Sequence, residues 1–427
     1  MKYTTAHDAL NLVKSGDNVF HQGSSATPIT LLDAMAEHAD RLNDVNVYSA
    51  FAIAPSVAKY SLEELEKSFN VKSFFVCPAV RNNVNNLSGD YIPSMLGDIP
   101  NFFRQGLIPL NVALINVSPP NDEGYCSMGS TVDLTASAVE MAEIVIAQIN
   151  KQQPFTYGDA VIHSSKFTAA VLVDEPLSEV PYAQPTDIDK EIARNVADYI
   201  SDGATLQVGV GALPNAVLSA LKDRKHMGIH TEAITEGMLE LIQSGAIDNS
   251  MKIINPGVTL ATLSVGSRKL YDFMHNNKDI LMKDVVYTND PFKIAQNPNV
   301  VAINSAIEVD ITGQVVADSI GGRVYSGVGG QHDYMYGGNL CPTGKTFIAM
   351  SAATNKGVSK IVHTLTPGGG VVTPRAMMQY VATEHGVAEL RGKTLVERAK
   401  ALISISDPAA REELERVARE RYGRSWK

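Results

Sequence analysis

The sequence predicts an α/β protein built as two related open α/β domains, the product of an internal duplication. Two observations carry this reading. Short β-rich runs alternate with helical patterns along the whole chain, the pattern of parallel sheets flanked by helices. Three segments also recur in the same order, at offsets between about 182 and 189 residues.

The first recurrence pairs ALNLVKSGDNVFHQGSSATPITLL with VADYISDGATLQVGVGALPNAVL. Each reads as an amphipathic helix, a glycine stop (Gly16, Gly203), a short strand, a further glycine (Gly23, Gly209) and a proline (Pro28, Pro214). That proline stands where the next helix opens, a favoured first-turn position. The second pairs VNVYSA (45–50) with MGIHTE (227–232), and the third LNVALINVS (110–118) with PNVVAINSA (298–306). The Pro- and acid-rich stretch DEPLSEVPYAQPTDID has the composition of a linker, so the domains are expected at 1–184 and 185–427. A new helix, KEIARNVADYI, is expected to start from Thr186 or Asp187. Two domains also suit 427 residues, more than one core usually serves.

Composition narrows the function classes. With 44% hydrophobic and 19% charged residues the chain reads as an ordinary soluble globular protein. A net charge of -10 argues against a nucleic-acid partner, which calls for a basic face, but leaves room for a small anion. Cys77, Cys126 and Cys341 are far apart and form no CxxC pair, which excludes a disulfide framework or a zinc site and favours a reducing cytoplasm. Asp8 and Lys14 interrupt what a signal peptide needs, and no apolar run approaches the ~20 residues that span a bilayer. No membrane association is expected.

Three features could carry chemistry. HMGIHTE reads as a short strand and AITEGMLELIQSG as the helix after it, which puts Glu232 at the carboxyl end of a strand, where open α/β sheets bind ligands. A carboxylate there can act as nucleophile or base; the alternative is a first-turn helix acid favoured by the macrodipole. The duplication places Ala50 at the equivalent position of the first copy, so one half alone would be armed, with the site in the cleft between domains. Glu236 and Glu240 read as a solvated face, and the strand-like residues between His226 and His230 argue against a helical zinc pair. The second feature is Gly209-Val210-Gly211-Ala212-Leu213, a strand-to-helix turn whose N–H groups could approach a phosphate or amide, with Gln207 on the strand leading in. It lacks the third glycine of a dinucleotide fingerprint, and a plain tight turn is the alternative. The third is IGGRVYSGVGGQHDYMYGG, far richer in glycine than the ~7% average. Such a loop exposes N–H donors of the kind that build an oxyanion hole. Lys356, in NKGVSKIVH, is a cation suited to a phosphate or carbonyl, and no GxSxG elbow is present to support serine hydrolase chemistry.

These segments, with GDYIPSML, VALINVSPPNDEGYCSMG, INSAIEVDITGQV, VVTPRAMMQYVATEHGVAELRGKTLVERA and SDPAAREEL, resemble the acetyl-CoA hydrolase/transferase family, and within it the 4-hydroxybutyrate and butyrate CoA-transferase branch. The resemblance covers nearly the whole chain. It implies a CoA-transferase (NagB/RpiA-like) architecture of two related α/β domains, with Glu232 as nucleophile. It further implies CoA contacts at Gly209, Val210, Gly211, Ala212, Leu213, Ile307, Gly330 and Lys356, and substrate or oxyanion contacts at Gln207 and Gly329. His332 and Tyr334 depart from the small or apolar residue and the Phe that relatives often carry, which bears on the acyl pocket.

What the resemblance implies is transfer of CoA between an acyl-CoA and a short-chain carboxylate through a glutamyl-CoA thioester, with ping-pong kinetics. It implies no metal and no permanently bound cofactor, CoA being the group transferred, and a homodimer or larger homo-oligomer. The nearest alternative is an acyl-CoA hydrolase using the same glutamate; a non-catalytic CoA-binding regulator would leave Glu232 idle.

Overall fold

The computed structural model describes residues 3–53, 57–86 and 88–426. The first half forms a seven-stranded parallel sheet from β1 (Asn18–His21), β2 (Val45–Ser49), β3 (Phe69–Ser73), β4 (Gly89–Tyr91), β5 (Val112–Val117), β6 (Ile144–Asn150) and β7 (Ala169–Val173). Their order is β7-β6-β5-β1-β2-β3-β4. The second half forms a six-stranded sheet from β8 (Thr205–Val208), β9 (Gly228–Ile229), β10 (Val300–Asn304), β11 (Lys345–Ala349), β12 (Tyr380–Thr383) and β13 (Gly386–Glu389). Here the order is β9-β8-β10-β11-β12-β13, with only the last pair antiparallel.

The duplication is visible in that order. The run β7-β6-β5-β1-β2 has the same sequence of connections as β12-β11-β10-β8-β9, and the three recurring segments supply β1/β8, β2/β9 and β5/β10. Gly16 and Gly203, the paired stops, both turn in the left-handed region (φ +82° and +72°). β5 is buried at every position, as a strand covered on both faces should be. The helix expected behind Thr186 spans Asp187–Ala197, opened by a capping box between Thr186 and Asp189.

One expected element is different. The helix after Glu232 covers only Glu236–Gln243, and Ala233–Thr235 is a strand paired in parallel with Leu263–Val265. The β-branched pair Ile234-Thr235 suits a pleated, buried position, and a partner strand from elsewhere in the chain overrides the helical pattern. Glu232 therefore lies between two short strands and is not a first-turn helix acid.

The halves are joined by backbone and by core. Ser264 N–H donates to Ser130 O (2.8 Å), Val132 N–H donates to Thr262 O (2.9 Å), and Tyr157–Gly158 adds a third strand to Ile280–Met282 and Thr259–Ala261. One apolar cluster holds Phe20, Phe103 and Ile115 together with Ile229, Met238, Ile303 and Phe347.

β9 is only two residues long and is held in place by side chains. Ile229 N–H donates to Asn249 Oδ1 (2.9 Å), and the buried Lys252 ammonium donates to Ile229 O (2.8 Å) and Val258 O (2.7 Å). Gly228 leaves room for the lysine stem, since a Cβ there would lie 2.6 Å from Lys252 Cγ. Replacing Lys252 by Met keeps the stem but leaves both carbonyls unpaired, and is expected to cost about 2–4 kcal/mol of stability in urea unfolding. An unchanged unfolding midpoint would contradict this role.

Candidate active site

Both sheets reverse strand order beside the strand that opens them, and in the second half this switch point lies between β8 and β10. Gln207 and Asn304, at the carboxyl ends of these two strands, join amide to amide across it (Asn304 Nδ2 to Gln207 Oε1, 3.0 Å). Above them opens a cleft of about 450 Å³, the place where open α/β sheets bind ligands. Phe51, Ile53, Phe75 and Cys77 of the first half form one wall. The facing side is Gly209, Val210, Glu232, Leu263 and Val265, closed by the 326–331 loop. Ala50 is buried beside that first-half wall, so the equivalent positions of the two copies carry an acid in one and a methyl group in the other.

The backbone around Glu232 is fixed at every step. His230 N–H donates to Leu206 O (3.1 Å), Thr231 N–H donates to Leu260 O (3.0 Å), and Glu232 O accepts from Thr262 and Leu263 N–H (both 3.0 Å). The His230 ring is turned away from the cleft: Nε2 meets Thr288 O (2.8 Å) and Nδ1 accepts from the Asn297 amide (3.0 Å). Burial lowers its pKa to about 3, so it is neutral and Nε2 carries the proton.

The Asn289 side-chain amide and the Gly330 backbone stand beside the Glu232 carboxylate, and both favour its ionised form. Gly330 has to be glycine, because a Cβ there would stand 2.0 Å from Glu232 Oε2 and 2.5 Å from Asn289 Nδ2. Its loop is strapped to the first half. Val76 N–H donates to Ser326 O (3.1 Å), Leu96 N–H to Gly329 O (3.0 Å) and Val328 N–H to Tyr91 Oη (3.2 Å). Arg81 donates to Tyr325 O (2.8 Å) and stacks on its ring at 4.0 Å. The glycine-rich run is thus an ordered wall, not a flexible linker.

Burial raises the Glu232 carboxyl from an ordinary 4.5 to about 8, and the nearby Asp333 and Asp133 charges push the same way. The Asn289 and Gly330 donors oppose the rise without cancelling it. Asp333 and Asp133, both buried, are themselves raised to about 6, chiefly by desolvation.

Of the residues singled out in the sequence, Gln207, Gly209, Val210, Glu232, Gly329 and Gly330 meet at this cleft. Gly211 lines a smaller cavity next to it, beside Tyr182 and Asn215. Ala212 and Leu213 open the helix Ala212–Ala220, Ile307 is half-buried with its N–H on Val316 O (2.9 Å), and Lys356 is exposed in the turn 354–358; none of these four lines the cleft. His332 and Tyr334 lie outside it as well. Tyr334 is buried and donates to Thr288 O (3.1 Å), and His332 packs near Tyr336. Glu240 pairs with Lys222 (3.3 Å), and His226 pairs with Asp248 (2.8 Å), facing away from His230. Sequence reasoning missed Asn289, Asp133 and Asp333; the last stood inside the glycine-rich segment, the only signal that could have drawn attention to it.

Comparison with known proteins agrees over the whole chain. The model of the acetyl-CoA hydrolase/transferase N-terminal domain matches residues 1–212 and that of the C-terminal domain residues 266–418. A succinyl-CoA:acetate/propanoyl-CoA:succinate CoA transferase of Fasciola hepatica is 42% identical over 97% of this chain and 87% of its own length. A 4-hydroxybutyrate coenzyme A transferase of Clostridium kluyveri is 40% identical over 99% and 98%. The crystal structure of RipA from Yersinia pestis superposes with a TM-score of 0.94 at 32% identity, covering 99% of this chain and 98% of that one.

The raised carboxyl has a consequence for stability. Below pH 4.5 Glu232 is protonated folded or unfolded; between 4.5 and about 8 the unfolded chain releases a proton that the folded one keeps. Folding stability therefore falls across this window and levels off above it, by roughly 3–5 kcal/mol. Glu232→Gln removes the effect, so it is expected to melt higher than the parent at pH 8.5 and close to it at pH 4. Equal melting temperatures at both pH values would contradict a poorly solvated, proton-holding carboxyl.

Proposed function

The chain belongs to the acetyl-CoA hydrolase/transferase family, and from that premise we propose that it is an acyl-CoA:carboxylate CoA-transferase with Glu232 as its nucleophile. The observation that carries the reading is that Glu232 is the one carboxylate among the described residues lining the cleft, with the Asn289 amide and the Gly330 backbone beside it. Its acceptor acid is of the short-chain class named for the relatives, acetate, butyrate or 4-hydroxybutyrate. The two halves, 1–184 and 185–427, act as domains that share one site. The Gly209–Leu213 turn, Ile307 and Lys356 are assigned to the CoA arm, and the enzyme works in the cytoplasm as a homo-oligomer.

In the first step a Glu232 carboxylate oxygen attacks the thioester carbonyl. The carbonyl electrons move onto oxygen, the C–S bond breaks, and an acyl-glutamyl anhydride and CoA thiolate result. The thiolate then attacks the glutamyl carbonyl and expels the acyl group as its carboxylate, leaving a glutamyl-CoA thioester. An acceptor carboxylate attacks that thioester to form a new anhydride and thiolate, and the thiolate takes the new acyl group and frees Glu232. No net proton is exchanged. The Gly330 N–H and the Asn289 amide are placed to receive the developing oxyanion, a kind of contact worth ~2.7–4 kcal/mol each. Apolar walls make such donors effective because competing water is displaced.

At pH 7 only about a tenth of a carboxyl with pKa near 8 is ionised, and the ionised form is the nucleophile. The kcat/KM for acyl-CoA is therefore expected to rise through a single ionisation near pH 8; a flat profile between pH 6 and 9 would contradict it. Glu232→Ala is expected to lose at least about a thousandfold in kcat. Parallel lines in double-reciprocal plots, with CoA release that requires an acceptor acid, indicate transfer. Release at the same rate without an acceptor would instead identify a hydrolase.

A further inference from the structure

We infer that Asp333 is a positioning residue for this site: its carboxylate fixes the Asn289 amide against Glu232 and ties that arrangement to the first half of the chain through Gly97. The inference rests on the reading of Glu232 as nucleophile. Asp333 lies in the first turn of the helix Gln331–Leu340 and is almost fully buried. Its Oδ2 accepts from Asn289 Nδ2 (2.9 Å) and from the Gly97 N–H (3.1 Å). On the other side, Thr288 Oγ1 donates to Asn289 Oδ1 (3.0 Å).

The chemistry of these partners decides which way the amide faces. An Asn side chain can present either its oxygen or its NH2 with little change of shape. An ionised carboxylate only accepts, so Asp333 demands the NH2, and the Thr288 hydroxyl satisfies the oxygen. One Nδ2 hydrogen is then committed to Asp333 and the other is left for Glu232. With the amide turned over, its oxygen would face two carboxylates and only the Gly330 N–H would remain as a donor for the reacting carbonyl. The Gly97 contact adds a bridge between halves, because Gly97 follows β4 of the first sheet and leaves space beside Asn289, where a Cβ would lie 3.0 Å from Asn289 Cβ.

Asp333 also sets the field in which Glu232 ionises. The groups facing Glu232 are Asp333, Asp133 and Tyr334; Asp98 stands near Asp333, and Asp284, paired with Arg104 (2.7 Å), near Asp133. His230 is neutral and turned to Thr288, and Lys252 lies beyond it on backbone carbonyls. No cation among these offsets the Asp333 charge at the Glu232 carboxylate.

A purely structural role, a helix N-terminal acid, makes a different prediction from a positioning role. The test measures kcat/KM for butyryl-CoA, with acetate as acceptor, from pH 6 to 9.5 in the full chain and in Asp333→Asn, Asp333→Glu, Asn289→Ala and the Asp333→Asn/Asn289→Ala double variant. Asp333→Asn is expected to lower the high-pH plateau about 10–100-fold and to move the midpoint down by about one pH unit as a negative charge is removed. The double variant should be no slower than Asn289→Ala alone, because the two residues act as one unit. Asp333→Glu keeps the charge should the Asn variant fail to fold, and is expected to lower the plateau while leaving the midpoint within about half a unit. A parent-like plateau and midpoint in Asp333→Asn, a parent-like plateau in Asp333→Glu, or additive losses in the double variant would overturn the proposal. Glu232→Ala run alongside separates the two readings. Activity in that variant removes the nucleophile assignment itself, whereas an inactive Glu232→Ala with a parent-like Asp333→Asn removes only the positioning role.

Discussion

A reactive carboxylate has to be held where water solvates it poorly, and that requirement shapes everything around Glu232. Its pKa near 8 records how unfavourable ionisation is there, and an ionised oxygen in such a place is a more basic, less shielded nucleophile than one in water. The fold holds that state by rigidity. A strand of two residues is pinned by Lys252 and Asn249, His230 is locked on two partners, and the Glu232 carbonyl is held by two N–H groups. Donors from Asn289 and Gly330 moderate the cost without removing it.

The duplication explains how one site draws on two halves. Both sheets carry the same five-strand order, yet only the second copy ends its recurring segment in an acid. The first copy has become the support. Phe51 and Phe75 form the wall, while Arg81, Tyr91, Leu96 and Gly97 hold the segment 325–333 that brings Gly330 and Asp333 to the glutamate. The shared apolar core and the strand that crosses from one half to the other make this support stiff, so that N–H donors are in place before substrate arrives.

Much of this was legible in the sequence because it is local or periodic. Apolar runs such as Val112–Val117 mark central strands, and the recurring segments pointed to a duplication that the shared five-strand order bears out. Glu232, Gly330 and Gln207 stood out because a strand end or a glycine cluster has a physical reason to face a ligand. The misread part was the helix after Glu232, where a strand partner at Leu263–Val265 prevailed over a helical pattern. Asn289 and Asp333 carried little signal: they lie 44 residues apart, in a short helical turn and a helix start, and only the tertiary fold brings them together. Family likeness suggested Ile307 and Lys356 as CoA contacts; neither lines the cleft, and the path of the loops that carry them is something local pattern does not encode.

The central claim is that Glu232 carries CoA covalently during the reaction. Its most direct test is to incubate the protein with acetyl-CoA, digest it and weigh the peptides. CoA attached through a thioester to the peptide containing Glu232, and lost when acetate or butyrate is added, is the result predicted. An adduct on a different residue, or CoA transfer at the parent rate by Glu232→Ala, would contradict the account.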